Sequence, residues 1–186
     1  MAFKQGKDTK IYVNSSNYST YFNNADAVRT ADTAESTTFG NSNKTYIAGE
    51  KDGTVSLTGF FDATADAVLQ PLLGGSDFDL AMGIDGLDTG DKATFTKGNI
   101  TNYGVSSPVG DIVATSIDVQ SDEGMWNGTV LTASAFTTTA AQGSAEDNAS
   151  STTNGCGAFL IVTSVSGTSP TGDVKIQHSA DNVTYV

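Results

Sequence analysis

Thr45–Gly75 reads TYIAGEKDGTVSLTGFFDATADAVLQPLLGG, and a change of period inside it frames the rest of the chain. In the first half Val55, Leu57 and Gly59 fall on one face, and Thr54, Ser56, Thr58 and Phe60 on the other. Alternation in a run rich in β-branched and aromatic residues is the pattern of a half-buried strand. The second half moves to spacings of three and four, with Ala65, Val68, Leu69, Leu72 and Leu73 as an apolar stripe. Asp62 or Thr64 can accept hydrogen bonds from the first turn of a helix. Pro71 lacks a backbone donor and Gly74-Gly75 follow, so the helix is short, about two to three turns. No other stretch has so clear a helical period, and the remainder is read as strands.

With 186 residues, 38% of them hydrophobic, the chain can hold one domain, or one domain and a small second one. Abundant Thr, Ser, Gly, Asn and Asp suit strands and turns, so the expected class is mainly β. Cys156 is the single cysteine, which excludes an internal disulfide. Its neighbours Ala158 and Phe159 favour a buried or reduced thiol. The first ten residues lack the apolar run of a secretory signal, and no stretch approaches the ~18 apolar residues of a membrane span. The expectation is a soluble chain made in a cytosol, with no membrane partner.

The net charge of −12 is uneven. Residues 1–60 are balanced, whereas residues 61–137 carry eleven acids against Lys92 and Lys97. Nucleic-acid binding through neutralised phosphates needs clustered Lys and Arg, and this distribution argues against it. A solvated acidic surface that aids solubility is the plain reading.

Along the chain, Ile11 and Val13 mark a short strand, and Tyr21 and Phe22 start a second that runs towards Val28. Residues 29–43 are polar, with Phe39 the only large apolar group. So long a structureless stretch is unusual inside a compact domain, so this one reads as an extended arm whose partner is another chain, with a turn at 44–53. Phe78, Leu80 and Met82 alternate with Asp77, Asp79 and Ala81 as a strand. Asp85, Asp88 and Asp91 lie among glycines. Their spacing fits no EF-hand loop, and the segment reads as a solvated hairpin turn with no metal. Residues 92–107 give one or two strands, Ile112–Val119 another, Asp122-Glu123-Gly124 a turn, and Met125–Phe136 the last strand of the unit. A meander of this kind suits a sandwich or half-barrel.

Four features, in order, carry a resemblance. First comes the hydroxyl- and acid-rich run Ala31-Asp32-Thr33-Ala34-Glu35-Ser36-Thr37-Thr38-Phe39-Gly40. Gly49-Glu50-Lys51-Asp52-Gly53 follows, then a strand ending Gly59-Phe60-Phe61-Asp62 and the helix. This order resembles the tail tube (major tail) proteins of long-tailed bacteriophages over roughly residues 4–137. The resemblance implies a tail-tube-type β-sandwich or half-barrel with one flanking α-helix. It implies hexameric rings whose strands join into an inner barrel, and rings stacked into a tube that conducts DNA. A tape-measure protein in the lumen, other tail proteins at the tube ends and a place in the virion tail, after assembly in a host bacterial cytoplasm, belong to the same implication. So does an interlocking role for the region around 29–43.

On that reading Asp77, Asp79, Asp118, Asp122 and Glu123 are candidates to face the lumen, where acid and hydroxyl groups repel passing phosphate. Asp32, Glu35, Phe39, Tyr46 and Lys51 are candidates for contacts between subunits.

Residues 137–155 are low in complexity and almost free of large apolar groups, and residues 138–155 read as a flexible linker. The division is a tail tube domain over 1–137 and the first strands of a small, incomplete β-sandwich over 156–186. Phe159–Val162 and Val174–His178 are its strands, and ~31 residues cannot bury enough area to stand alone.

Catalysis finds little support. His178, the sole histidine, sits among polar neighbours, without a sequence-supported Ser-His-Asp set. No phosphate loop and no His/Cys cluster occurs, so the chain reads as a non-enzyme without cofactors. Two alternatives to a phage tube stand beside it. One is the inner tube of a contractile injection or secretion device. The other is an extracellular glycan-binding β-sandwich, against which stand the missing signal and a single Trp.

Overall fold

Alternation becomes a single curled sheet in a computed structural model that describes residues 5–133, 157–172, 174–177 and 179. The strands are β1 (Lys10–Val13), β2 (Ser16–Asn17), β3 (Phe22–Glu35), β4 (Tyr46–Phe60), β5 (Phe78–Gly83), β6 (Lys92–Ser106) and β7 (Ala114–Thr129). Their order is β2-β1-β5-β6-β7-β4-β3, and every neighbouring pair is antiparallel.

One face of this sheet is apolar. Ile11 and Val13, Phe78, Leu80 and Met82, Ile100, Ile117 and Val119, and Val55 and Leu57 are all buried in one cluster. Ala25 and Ala27 of β3 pack on the cluster that holds Ile11 of β1. Strands from both ends of the order therefore share one core, which makes the sheet a half-barrel. Gly59 lets the sheet turn tightly there: a Cβ at this position would lie 2.0 Å from the carbonyl oxygen of Tyr21.

The helix closes the open side of the core. It spans Ala63–Leu69, and Asp62 is its N-cap, accepting hydrogen bonds from the amides of Thr64 and Ala65. Such a cap satisfies donors that the first turn leaves free, worth ~1 kcal/mol. Pro71 falls in a one-turn 3-10 segment, Gln70–Leu72, which ends the helix. Only Ala65 and Leu69 of the expected stripe are buried; Val68 and Leu73 are largely exposed. A helix this short presents one i,i+4 pair to the core, so the stripe is narrower than its spacing predicts.

Three elements differ from the sequence expectation. The strand starting at Phe22 runs on to Glu35, and the turn expected at 44–53 is strand from Tyr46 onward. Cross-strand pairing between β3 and β4 makes these polar residues extended. The turn at Asp122–Gly124 is instead a bulge inside one long β7. Thr96 pairs with Met125 but Lys97 pairs with Asp122, so Glu123 and Gly124 are surplus, at φ of 57° and 95°. The chain absorbs them without turning because β6 continues on both sides. Of the one or two strands expected over 92–107, one forms, Lys92–Ser106.

Among the described residues, neither Phe159–Val162 nor Val174–Gln177 pairs as a strand. A pair of short strands lacks the area to hold itself together. Cys156, His178 and the linker 138–155 lie outside the described residues. The turn expected between β5 and β6 is present, with the Asp88 amide donating to Asp91 Oδ2 at 2.9 Å.

The helix is tied to the sheet by Tyr103, whose hydroxyl donates to Asp66 Oδ1 at 2.8 Å. Burial first, then the Asp66 carboxylate, push the Tyr103 hydroxyl up to about 12. A raised tyrosine contributes stability in full below about pH 10 and loses it as the pH climbs towards its folded value. Tyr103→Phe is expected to cost about 1 kcal/mol near neutrality. The gap to wild type should hold up to about pH 10 and narrow between about pH 10 and about pH 12, as measured by denaturant midpoints at each pH.

Candidate functional site

Residues that alternate with the core form the opposite, outward face of the sheet, away from the helix. On β4, β7 and β6 this face carries small polar groups: Ser56, Thr58, Ser116, Asp118, Gln120 and Asn102. Asp118 is its centre. Ser56 Oγ donates to one carboxylate oxygen at 2.7 Å, and Asn102 Nδ2 donates to the other at 2.9 Å. These bonds, Asn102 first and Ser56 second, hold the carboxyl below the ordinary aspartate range against a smaller opposing effect of burial. One row further on, Gln120 Nε2 donates to Asp52 Oδ1 at 2.6 Å and Asn99 Nδ2 to Asp77 Oδ1 at 2.7 Å. Amide and hydroxyl donors thus hold the carboxylates in place.

The next row holds charge of both signs. Lys97 of β6 is directly opposite Asp79 on β5 and Asp122 on β7. Glu123, in the bulge, borders the same patch. Of the five candidate lumen acids, Asp79, Asp118 and Asp122 therefore share one face, Asp77 reaches it through Asn99, and Glu123 sits at its margin. Ser56, Asn102, Gln120, Asp52 and Lys97 were not candidates from sequence. Alternation around Val55, Leu57, Ile117 and Val119 was the signal that could have found Ser56 and Gln120.

The second surface is an overhanging hairpin. β4 pairs with β7 only from Thr54 to Phe60. Below Thr54 its partner is β3 alone, from Arg29↔Gly53 to Glu35↔Tyr46. This two-stranded arm ends in a loop where the Ser36 amide donates to Thr45 O at 2.8 Å and Lys44 pairs with Glu35 at 3.0 Å. All five candidate contact residues lie on it. Glu35 faces Tyr46, Lys51 faces Ala31, and Asp32 occupies a bulge between Ala31 and Thr33. Phe39 in the loop is fully exposed, while Tyr46 and Ile47 on the arm are 56% and 63% exposed. Ile47 and Val28, also exposed, were not singled out. The far end of the sheet, where Phe60 pairs with Ala114, carries a second exposed apolar group: Phe60, Val109 and Ile112.

A depressed carboxylate contributes stability above its unfolded value and loses it as the pH falls through its folded one. Asp118→Asn is accordingly expected to flatten the acid limb of the stability curve below about pH 4, measured by thermal unfolding across an acid pH series. An unchanged acid limb would remove Asp118 from the network described.

No protein-family model matches the chain, and no curated protein does. Solved structures do match. A chain from the tail of an empty gene transfer agent particle, refined helically with C6 symmetry, has a TM-score of 0.57 at 14% identity, covering 68% of this chain and 100% of that one. A chain of the SPP1 tail tube gives 0.54 at 16% identity, covering 67% and 78%. A chain of the sheath–tube complex of an extracellular contractile injection system, PVC, in its extended state gives 0.51 at 15% identity, covering 67% and 90%. Likeness at such identities establishes fold alone: a mainly β, tail-tube-type sheet with one flanking helix.

Proposed function

We infer that the chain is a structural subunit of a phage tail tube, polymerising through stacked hexameric rings into a conduit for DNA. The observation that carries this reading is the β3–β4 arm, a polar ribbon that no third strand joins among the described residues, with exposed Phe39, Tyr46 and Ile47. A two-stranded ribbon is marginal in water by itself, and an open edge invites pairing with another chain. A neighbouring copy supplies both missing contacts. Apolar groups at opposite ends of the sheet suit head-to-tail stacking, a heterologous contact that closes or extends according to its rotation. The C6 symmetry belongs to the similar tail, and six copies per ring is the corresponding proposal for this chain.

The outward face is the proposed lumen wall. Asp79, Asp118 and Asp122, with Asp77 and Glu123 at the margins, repel phosphate, and the hydroxyl and amide groups between them offer no apolar hold. DNA then passes without specific binding. A tape-measure protein in the lumen, other tail proteins at the ends, virion-tail location after assembly in the host cytoplasm, no membrane partner and no enzymatic activity complete the reading. The division into 1–137, 138–155 and 156–186 is retained as part of it. The likeness to the injection-system chain supports a second reading, the inner tube of a contractile device. A sheath around the native tube in micrographs separates the two.

Electron microscopy of the concentrated purified protein is the direct test: hollow tubes of uniform width are expected, and persistent monomers would sink the proposal. Replacing Phe39 and Tyr46 together by Asp should leave the thermal midpoint within a few degrees of wild type and abolish tubes. Intact tubes from that double variant would free the arm of its assigned role. Converting Asp79, Asp118 and Asp122 to Asn should leave assembly intact and slow genome passage several-fold; unchanged infection kinetics would count against an acidic wall.

A further inference from the structure

One row of the outward face is apolar and aromatic. Tyr12 of β1 pairs with Ala81 of β5, Ala81 with Phe95 of β6, and Phe95 with Trp126 of β7. Directly opposite residues in an antiparallel sheet lie on the same side, so the four make an apolar and aromatic band across four strands. It runs beside the Asp79–Lys97–Asp122 row.

The Phe95–Trp126 half of this band is occupied. Phe159 stacks on Phe95 with ring centroids 3.6 Å apart and planes 21° from parallel. Ala158, Phe159 and Leu160 close a cleft whose other walls include Phe95, Trp126 and Lys97. The docked residues open an uncharged run, Ala158-Phe159-Leu160-Ile161-Val162. That composition suits its seat: an acidic segment would be repelled by Asp79, Asp122 and Glu123, and a polar one would gain nothing from the aromatic rings.

We propose that the Tyr12–Ala81–Phe95–Trp126 band is a docking surface for this chain's own residues 158–162, a strap released when copies assemble. The docking stands on the contacts alone; the release rests on the tube reading given above. One face cannot be both an open acidic wall and a seat for an apolar strap. A ring that kept its straps would line the passage with repeated Phe, Leu, Ile and Val side chains. The strap therefore covers the aromatic band in the free subunit, where the band would otherwise be an adhesive patch, and leaves it as the wall forms.

Trp126 is the only tryptophan, about half exposed beside the strap, so its emission reads the docking directly. In the dilute full-length subunit, Phe159→Asp is expected to red-shift Trp126 emission and raise acrylamide quenching about twofold, with the far-ultraviolet dichroism unchanged. Leu160→Asp should do the same from an independent position. Wild-type emission and quenching in both variants would overturn the docking. On assembly, wild-type Trp126 should move to the emission of the undocked variant, and Phe159→Asp should form tubes several-fold faster by light scattering. Trp126 emission that stays constant through assembly would overturn the release. A wild-type chain that never forms tubes removes the tube reading alone, and the quenching of the dilute subunit still decides the docking.

Discussion

The structure depends on a strand pair that no third strand joins among the described residues. From Arg29↔Gly53 outward, β3 and β4 pair as strands only with each other, and β3 closes one end of the sheet order. Backbone amides and carbonyls along that border need partners, and water supplies them at no gain in stability. Natural sheets blunt such edges with short strands, prolines or clustered lysines. This chain has a fourteen-residue β3 with Arg29 as its only basic group. Two register shifts and the acids Asp26, Asp32 and Glu35 interrupt the border, but it has no proline and no lysine, so it stays open to a matching strand. A sheet extended from copy to copy satisfies it, and rotation at each junction determines whether the extension closes.

The outward face has a different constraint, self-repulsion. Carboxylates concentrated on one face, and repeated around the proposed ring, would oppose their own assembly, although salt screens exposed charges within roughly 8–10 Å. Two features offset this. Lys97 stands between Asp79 and Asp122, so the strands place opposite charges side by side where like charges would destabilise the ladder. Asp118 instead has neutral donors, Ser56 and Asn102, which stabilise its charge without cancelling it. The wall keeps a negative potential while its local contacts stay favourable.

Much of this could be read before any coordinates. Alternation at Val55, Leu57 and Gly59 and at Phe78, Leu80 and Met82 located core-facing positions correctly, because a period of two has a single meaning when one face is buried. Asp62 and Pro71 bounded the helix through backbone chemistry that is local. The arm's candidate residues Asp32, Glu35, Phe39, Tyr46 and Lys51 fell on one hairpin, but its strands did not show, because polar residues become extended there only through pairing with each other. Glu123-Gly124 read as a turn because the φ > 0 signal is shared by turns and bulges, and only the partner strand distinguishes them. Lys97 was invisible as a member of the outward face, since its position opposite Asp79 and Asp122 is a matter of register.

One sheet serves as both core and wall, and this bears on how little sequence its fold requires. Burial constrains alternate residues only: Leu57, Leu80, Ile100 and Ile117 must be apolar and well packed, while their neighbours Ser56, Ala81, Thr101 and Asp118 answer to whatever lies outside. A few close approaches add to that short roster, such as Gly59 against Tyr21 and Gly98, where a Cβ would lie 2.5 Å from Gln120 O. Core positions themselves accept apolar exchanges that conserve volume. About half the strand residues are thus free of the fold, and the rest are restricted by type more than by identity. The same architecture at 14–16% identity is what this partition leads to. It also localises selection: the positions released from the core are those on the outward face, so surface chemistry can change there without disturbing the sheet that carries it.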